Sequence, residues 1–133
     1  MIYSHSMDRA ARSYPERPAL YVGGGRQTFR ELHDRVMSLA AALTGRGFNA
    51  GDRLALLLPN SPEYLEFVYA CSRLGVIVVP INTRLSVVEI DHVLADASPR
   101  GLVRHSSLPA PTVHVPWERV LSASLRSVRS AVA

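Results

Sequence analysis

The sequence contains no lysine, and its 15 basic residues are all arginine. Within these 133 residues, that excludes any reaction that needs a lysine amine as a Schiff base or as a phosphate ligand. The arginines are spread through all the expected elements and are not interleaved with aromatic side chains. The net charge of +4 therefore does not indicate a nucleic-acid-binding surface, and no nucleic-acid partner is expected.

Cysteine and long apolar runs are scarce as well. Cys71 is the single cysteine and cannot form an internal disulfide, so a reducing cytoplasm is the expected compartment. No apolar run approaches the roughly 18 residues that a membrane-spanning helix needs, and the first 14 residues lack the apolar core of a secretory signal. With 47% hydrophobic and 20% charged residues, the chain has the composition of one globular domain.

A strand, a helix and a second strand are predicted in the central part of the chain. Leu54–Leu58 is an apolar run that suits a strand buried on both faces. Asn60 and Ser61 can cap a helix, the proline that follows fits its first position, and Gly75 ends it. Val76–Val79 begins at once, so the three elements form a parallel βαβ crossover.

Within this helix, the polar residues fall on one narrow stripe and the remaining, apolar side chains are expected to be covered. The stripe consists of Glu63, Glu66 and Arg73. The apolar side chains include Tyr64, Phe67 and Tyr69, which could line a pocket for an apolar ligand or could pack in the core.

The flanking segments complete an α/β fold. Two short strands around Gly23–Gly25 predict a small amino-terminal hairpin, Ala19–Val22 with Arg26–Thr28. The pairs Thr28/Glu31 and Ser86/Glu89 have the spacing of capping boxes and predict further helices, with Glu31 and Arg35 as an outward ion pair on the first of them. A third strand is expected at Gly101–Arg104, so the unit is a βαβαβ sheet, mostly parallel and flanked by helices.

The last part of the chain has a weaker pattern. Prolines bracket a candidate strand at Thr112–Val115, and Trp117–Leu121 is expected to turn back onto the core. Serine and arginine then separate isolated apolar residues. We therefore expect a domain over residues 1–121 and a frayed tail over residues 122–133.

Spacing alone assembles no active site. The five histidines show no metal-ligand spacing, and Ser61 before a proline is better explained as a helix cap than as a nucleophile. Gly23–Gly25 fits a hairpin turn rather than a phosphate loop, because no helix follows it directly. No catalytic, metal-binding or cofactor-binding residue is predicted from spacing.

Four blocks of sequence nevertheless resemble a known family. They are Tyr14–Leu20 (YPERPAL), Thr28–Val36 (TFRELHDRV), Gly51–Glu63 (GDRLALLLPNSPE) and Leu74–Leu85 (LGVIVVPINTRL). In order and spacing they resemble the amino-terminal region of AMP-forming acyl-CoA synthetases, members of the adenylating-enzyme superfamily. The last block is most similar to fatty-acid-CoA ligases.

The resemblance implies a two-step reaction for the full-length enzyme, with ATP, Mg²⁺ and CoA as cofactors. A carboxylate attacks the α-phosphorus of ATP, and the CoA thiol then displaces AMP. The family's phosphate loop and catalytic lysine have no counterpart in these residues, so the resemblance implies no cofactor for this chain alone. Asn82, Thr83 and Arg84, which follow a strand, are expected to form part of the wall of the substrate cleft.

Two functions are therefore weighed. In the first, the chain is the amino-terminal portion of a fatty-acid-CoA ligase, inactive alone, whose partner is the missing remainder of the ligase or a second copy held through apolar surface. In the second, it is a binding module without chemistry that docks onto another chain through the helix Pro62–Leu74. An extensive exposed apolar surface favours the first, and a polar surface favours the second.

Overall fold

The protein is described here by a computed structural model in which residues 2–122 and 128–129 are described, with side chains over residues 5–122. The described helices and strands alternate along most of the chain. The helices are α1 (Ile2–Ser13), α2 (Phe29–Gly45), α3 (Pro62–Leu74) and α4 (Val87–Ala97). The strands are β1 (Pro18–Val22), β2 (Gly25–Thr28), β3 (Arg53–Leu57), β4 (Ile77–Pro80), β5 (Gly101–His105), β6 (Trp117–Leu121) and β7 (Val128–Arg129).

The larger sheet has the strand order β4-β3-β5-β6, and its neighbouring strands are parallel. Leu54 on β3 lies opposite Val78 on β4 and Gly101 on β5. This confirms the predicted α/β class and the parallel pairing of the two central apolar runs. It also shows that Trp117–Leu121 returns to the core as a strand, in register with β5.

The smaller sheet has the order β2-β1-β7 and is antiparallel. Its first two strands are the predicted hairpin, and Gly23 has the positive φ of +55° that a tight turn of this kind requires. Val128–Arg129 pairs with β1, although both residues belong to the segment 122–133 for which a frayed tail is predicted. Residues 123–127 and 130–133 of that segment lie outside the described residues.

Side chains alternate between the two faces of the larger sheet and build two cores. Leu54 and Leu56 of β3 pack on the side of α1, α2 and α3, whereas Ala55 and Leu57 pack on the side of α4. All four are fully buried. The uninterrupted apolar run of β3 therefore reflects helices or loops on both of its faces.

Local signals explain where the central helix begins and ends. The Ser61 hydroxyl accepts a hydrogen bond from the Tyr64 N–H at 3.2 Å, and Pro62 occupies the first helical position. Gly75 ends the helix in the left-handed conformation with φ of +74°. A side chain at position 75 would also be crowded, because its Cβ would lie 3.1 Å from Cβ of Ala50.

One expected strand is absent. Thr112–Val115 is irregular, because the backbone N–H groups of Thr112 and Val113 donate to the Asp91 carboxylate at 2.8 and 3.2 Å rather than to a neighbouring strand. Val113 and Val115 still pack against the core on the α4 side. The segment predicted as a strand is therefore a loop tethered by a carboxylate.

The expected ion pair between Glu31 and Arg35 is also wrong. Arg35 Nε instead donates to Glu66 Oε2 at 2.7 Å, across two helices. Glu66 is only 3% exposed, so the polar stripe predicted on α3 is interrupted by a covered carboxylate. The sequence contained both partners, but their pairing depends on how α2 packs against α3.

Candidate functional site

A cleft of about 500 Å³ lies at the carboxyl ends of β3 and β4. The lining residues come from the segment after β3, the first turn of α3 and the segment after β4. They are Leu58, Pro59, Asn60, Tyr64, Pro80, Ile81, Asn82 and Thr83. The carboxyl edge of a parallel sheet is where open α/β folds bind their ligands, so this cleft is the candidate site.

The structure places two of the three predicted wall residues at the cleft. Asn82 and Thr83 line the cleft, whereas Arg84 is exposed and is not among the lining residues. Asn82 Oδ1 accepts a hydrogen bond from the Arg84 N–H at 2.9 Å, and its carbonyl accepts from the Leu85 N–H at 3.2 Å. Asn82 therefore fixes the turn that presents Thr83 beside the cleft.

Ser61 follows Asn60 in the sequence but is not among the lining residues, and its hydroxyl is engaged with the backbone. Its hydroxyl donates to the Pro59 carbonyl at 3.1 Å and caps α3 at the same time. The residue is buried, which leaves the hydroxyl no free direction toward a substrate. The structure thus supports a cap rather than a nucleophile, as the sequence indicated.

The three aromatic side chains considered for a pocket have different positions. Tyr64 packs against the core on the α3 side and also lines the cleft. Phe67 is buried in that core, and Tyr69 packs against it. Asn60 also lines the cleft, although the sequence suggested only a capping role for it.

The donor set of the cleft is neutral. Asn60, Asn82, Thr83 and Tyr64 offer amide and hydroxyl groups, and no carboxylate or arginine is among the lining residues. In the described part of the chain, no group of three histidine, cysteine, aspartate or glutamate side chains is placed to hold a metal ion. The residues of this cleft therefore do not fit a complete site for Mg²⁺ with a nucleotide.

A second concavity of about 430 Å³ lies between α2, α3 and β6. Beside it, Glu66 accepts hydrogen bonds from Gln27 Nε2 at 3.1 Å and from Arg35 Nε at 2.7 Å. The hydrogen bond that Arg35 donates to Glu66 raises the pKa of Arg35, so the guanidinium stays charged. This network joins β2, α2 and α3, and its buried carboxylate is paired as a buried charge must be.

Cys71 offers no reactive thiolate. The residue is completely buried in α3, and burial raises the pKa of its thiol to about 12. A thiol with that pKa is protonated near neutral pH and is a poor nucleophile.

In the described part of the chain, no helix has both the length and the apolar character needed to cross a bilayer.

The chain can be compared with known proteins in sequence and in structure. The family model described as AMP-binding enzyme matches residues 7–130. The chain belongs to the AMP-binding enzyme family. This confirms the resemblance that the four sequence blocks indicate.

Several curated relatives act on different acids. A feruloyl-CoA synthase from an Amycolatopsis species is 45% identical over 105 residues, which are 79% of this chain and 21% of that protein. The long-chain-fatty-acid–CoA ligase FadD13 of Mycobacterium tuberculosis is 37% identical over 78 residues, 59% of this chain and 16% of that protein. The chain thus spans about a fifth of the length of the curated relatives that it matches.

Solved structures of adenylating enzymes are also similar to this chain. A fatty acyl CoA synthetase of Mycobacterium tuberculosis matches with a TM-score of 0.78 at 27% identity, covering 89% of this chain and 26% of that chain. The amino-terminal subdomain of NpsA from Klebsiella oxytoca, in complex with anthranilyl-AMSN, matches with a TM-score of 0.75 at 30% identity. That match covers 90% of this chain and 30% of the subdomain. The chain corresponds to an amino-terminal part of these adenylating enzymes.

Proposed function

We propose that this chain is an amino-terminal portion of an ATP-dependent acid–CoA ligase and forms one wall of the cleft in which the carboxylate is adenylated. The observation that carries the proposal is the position of Asn82 and Thr83, beside Asn60 and Tyr64, at the carboxyl edge of β3 and β4. Amide and hydroxyl groups at this edge can orient a ligand by hydrogen bonds, and Tyr64 supplies an apolar surface.

The proposed wall has its own supporting framework. The Asn82 side chain holds the turn after β4, and Ser61 holds the start of α3 on the other side of the cleft. Because each of these side chains forms a hydrogen bond with the backbone of its own segment, the fold fixes the two sides of the cleft without a ligand. Arg84 lies outside the lining residues and is given no contact with the substrate.

The proposed substrate class is a fatty acid. The similarity to FadD13 and to the fatty acyl CoA synthetase supports it. A second candidate is an aromatic acid, favoured by the higher identity of 45% to a feruloyl-CoA synthase. Both substrates combine a carboxylate with an apolar body, which is the combination that a cleft with neutral polar and apolar lining can accept.

We further propose that the chain alone is inactive. Adenylation places negative charge on the phosphate in its transition state, and such charge needs preorganised cationic donors. The chain has no lysine, and the cleft lining includes no arginine. ATP, Mg²⁺ and CoA would accordingly be held mainly by residues of the remaining ligase, which is the proposed partner.

The alternative of a docking module requires an exposed apolar surface on α3, but the core covers that surface. Phe67, Ala70 and Cys71 of α3 are buried, and several further apolar side chains of this helix pack against the same core. Among the described side chains, the larger apolar ones that are exposed are dispersed over several elements and do not form the extensive surface expected of a fragment: Tyr14, Tyr21, Met37, Ile77, Val88 and Val120. The choice of a ligase portion therefore rests on the family match over residues 7–130 and on the fifth of its relatives' length that the chain spans. Association with the rest of a ligase remains the proposal, with residues 1–121 as the folded unit, residues 122–133 as its tail and the cytoplasm as its location.

ATP–pyrophosphate exchange tests this proposal. One sample is the chain alone, and the other is a chimera in which the chain replaces the matching 105 residues of the feruloyl-CoA synthase. We expect no exchange from the chain alone with fatty or aromatic acids, and exchange above background from the chimera. Exchange catalysed by the chain alone, or a folded chimera that is inert with every acid, would contradict the proposal.

A further inference from the structure

Three arginines and a histidine line a cavity of about 420 Å³ between α1, α2 and α3. Arg12 comes from the last turn of α1, Arg30 and His33 come from the first turns of α2, and Arg73 comes from the last turn of α3. Because α3 runs from the carboxyl end of β3 to the amino end of β4, Arg73 lies at the amino edge of the sheet. The cavity is therefore separate from the cleft at the carboxyl edge.

One carboxylate orients two of these donors. Asp8 accepts two hydrogen bonds from Arg73 Nη1, both at 2.9 Å, and His33 Nε2 lies 3.2 Å from Asp8 Oδ1. The three side chains are only 21 to 29% exposed, so their positions are held by packing as well as by charge. A planar guanidinium fixed in this way still has N–H groups left to donate to a ligand.

The other two arginines that line the cavity are more exposed than Arg73. Arg12 is exposed. Arg30 pairs with Glu16 at 2.6 Å, but both side chains are at least 60% exposed. An ion pair so exposed contributes little, so Arg30 can exchange Glu16 for a ligand at small cost.

The residues that line the cavity carry more positive than negative charge. Its lining residues include three arginines and one carboxylate, Asp8, with His33 as a further donor. Outside the lining, Glu16 faces Arg30, and Asp34 stands 3.8 Å from the other ring nitrogen of His33. These two carboxylates offset the excess in number, but they are 67% and 74% exposed, so water and salt screen them. Several converging cationic donors with an excess of positive charge attract an anion that can accept several hydrogen bonds at once.

We propose that this cavity binds a phosphate group, held by Arg12, Arg30 and Arg73 with His33 as an additional donor. A phosphate offers several acceptor oxygens and matches the fork of an arginine. The group could belong to a soluble pyrophosphate or phosphate ester, or to an anionic lipid headgroup. The proposal goes beyond the ligase function, because the cavity lies at the opposite edge of the sheet from the cleft.

A titration of the isotope-labelled chain with pyrophosphate at low ionic strength tests the soluble form, with arginine Nε–H and histidine ring resonances as the readout. We expect saturable shifts at Arg12, Arg30, His33 and Arg73. The double variant Arg12→Gln/Arg30→Gln should weaken binding about tenfold, since each exposed charge contact is worth roughly threefold. It removes two exposed side chains and leaves the Asp8 contacts intact, so the fold should persist.

The matched control is Arg46→Gln, which removes one charge from the opposite end of α2, where the side chain is also exposed. Its effect on binding should stay below about twofold. Sedimentation with phosphatidylcholine vesicles, with and without phosphatidic acid, tests the headgroup. Binding in either arm that the double variant weakens about tenfold and the control retains supports the site; absence of binding in both arms, or equal loss in the control, overturns it.

Discussion

One face of the larger sheet is covered by α1, α2 and α3, and the other by α4 together with the loop 106–116. On the first face, a buried carboxylate of α3 joins residues that are 39 and 31 positions away in sequence. On the second face, the loop is held by Asp91, which bonds residues 21 and 22 positions away at the surface. The first face is closed by packed helices with a polar network inside, and the second by a tethered loop.

This difference predicts how each face responds to damage. A packed face with buried charges has few ways to relax, so a change there should affect the global stability. A loop with one carboxylate tether can open while the sheet stays folded. The three predictions that follow test this contrast.

The largest effects are expected from Leu56→Ala and Leu57→Ala. These neighbouring residues of β3 are both fully buried and point into opposite cores. Each substitution should lower the free energy of unfolding by about 2–5 kcal/mol, because it removes buried apolar atoms and leaves a cavity. The loop-covered face can settle into its cavity more easily, so Leu57→Ala should cost less than Leu56→Ala by about 1 kcal/mol.

Urea unfolding monitored by circular dichroism measures both values. A larger loss for Leu57→Ala would contradict the contrast between the faces. Equal losses would show that the loop packs as firmly as the helices.

The next effect is that of Glu66→Ala. Glu66 is 3% exposed and accepts bonds from Gln27 and Arg35, so its removal leaves a buried amide without its partner and a guanidinium without its carboxylate. We expect a loss of about 2 kcal/mol in the free energy of unfolding, because the amide of Gln27 is left buried, whereas Arg35 is 53% exposed and can be solvated. The control Asp96→Ala removes an exposed carboxylate of α4 and should change stability by less than about 0.5 kcal/mol. A similarly small change in the free energy of unfolding for both variants would show that the buried network contributes little to stability.

The smallest effect on global stability is expected from Asp91→Ala. This substitution releases Thr112 and Val113, so amide hydrogen exchange over residues 106–116 should accelerate while protection of α3 stays unchanged. If α3 loses protection to the same extent, the loop is not an independent unit. Thr112→Val, which removes only the hydroxyl bond to Asp91, should give an intermediate acceleration.

The same tether gives a pH dependence. The hydroxyl of Thr112, with help from the backbone N–H groups of Thr112 and Val113, lowers the pKa of Asp91 in the folded protein. The ionised carboxylate therefore stabilises the loop at pH values above the ordinary aspartate pKa of about 4, and this contribution is lost as the pH falls through the lowered pKa. Loop exchange rates compared between the parent chain and Asp91→Ala should converge at acidic pH, after correction for intrinsic exchange. A difference that persists at acidic pH would contradict this assignment.

The parts of the fold that the sequence predicted well are those fixed by short-range rules. The α3 boundaries follow from the Ser61 cap, the proline at the first position and Gly75, and the structure reproduces them. The capping box of Ser86 and Glu89 is formed with both of its hydrogen bonds. The parallel strands follow from apolar runs separated by helices of the right length.

The parts that were missed depend on contacts between distant segments. A periodicity analysis treats Glu66 as one residue of a polar stripe, because it cannot show that Gln27 and Arg35 will meet it. The valines of 112–115 have the alternation of a strand, but Asp91 takes the hydrogen bonds that a ladder would need. In both cases a side chain far along the chain competes with the local preference.

The candidate cleft was anticipated only in part. The position of Asn82 and Thr83 follows from the rule that loops after parallel strands meet at the carboxyl edge. Asn60 and Tyr64 were not assigned to it, because the sequence indicated only a capping role for Asn60 and favoured core packing for Tyr64. Only the arrangement of α3 beside β4 shows that they share one cleft.

The most direct test of the proposed wall is the kinetics of substitutions at Asn82 and Thr83 in the active chimera. We expect Asn82→Ala and Thr83→Ala to lower kcat/KM for CoA thioester formation by at least about fivefold, while the control Thr112→Ala, on the loop away from the cleft, retains the parent value. Parent kinetics for both cleft variants, in a chimera that remains folded, would contradict the claim that this edge of the sheet faces the reacting acid.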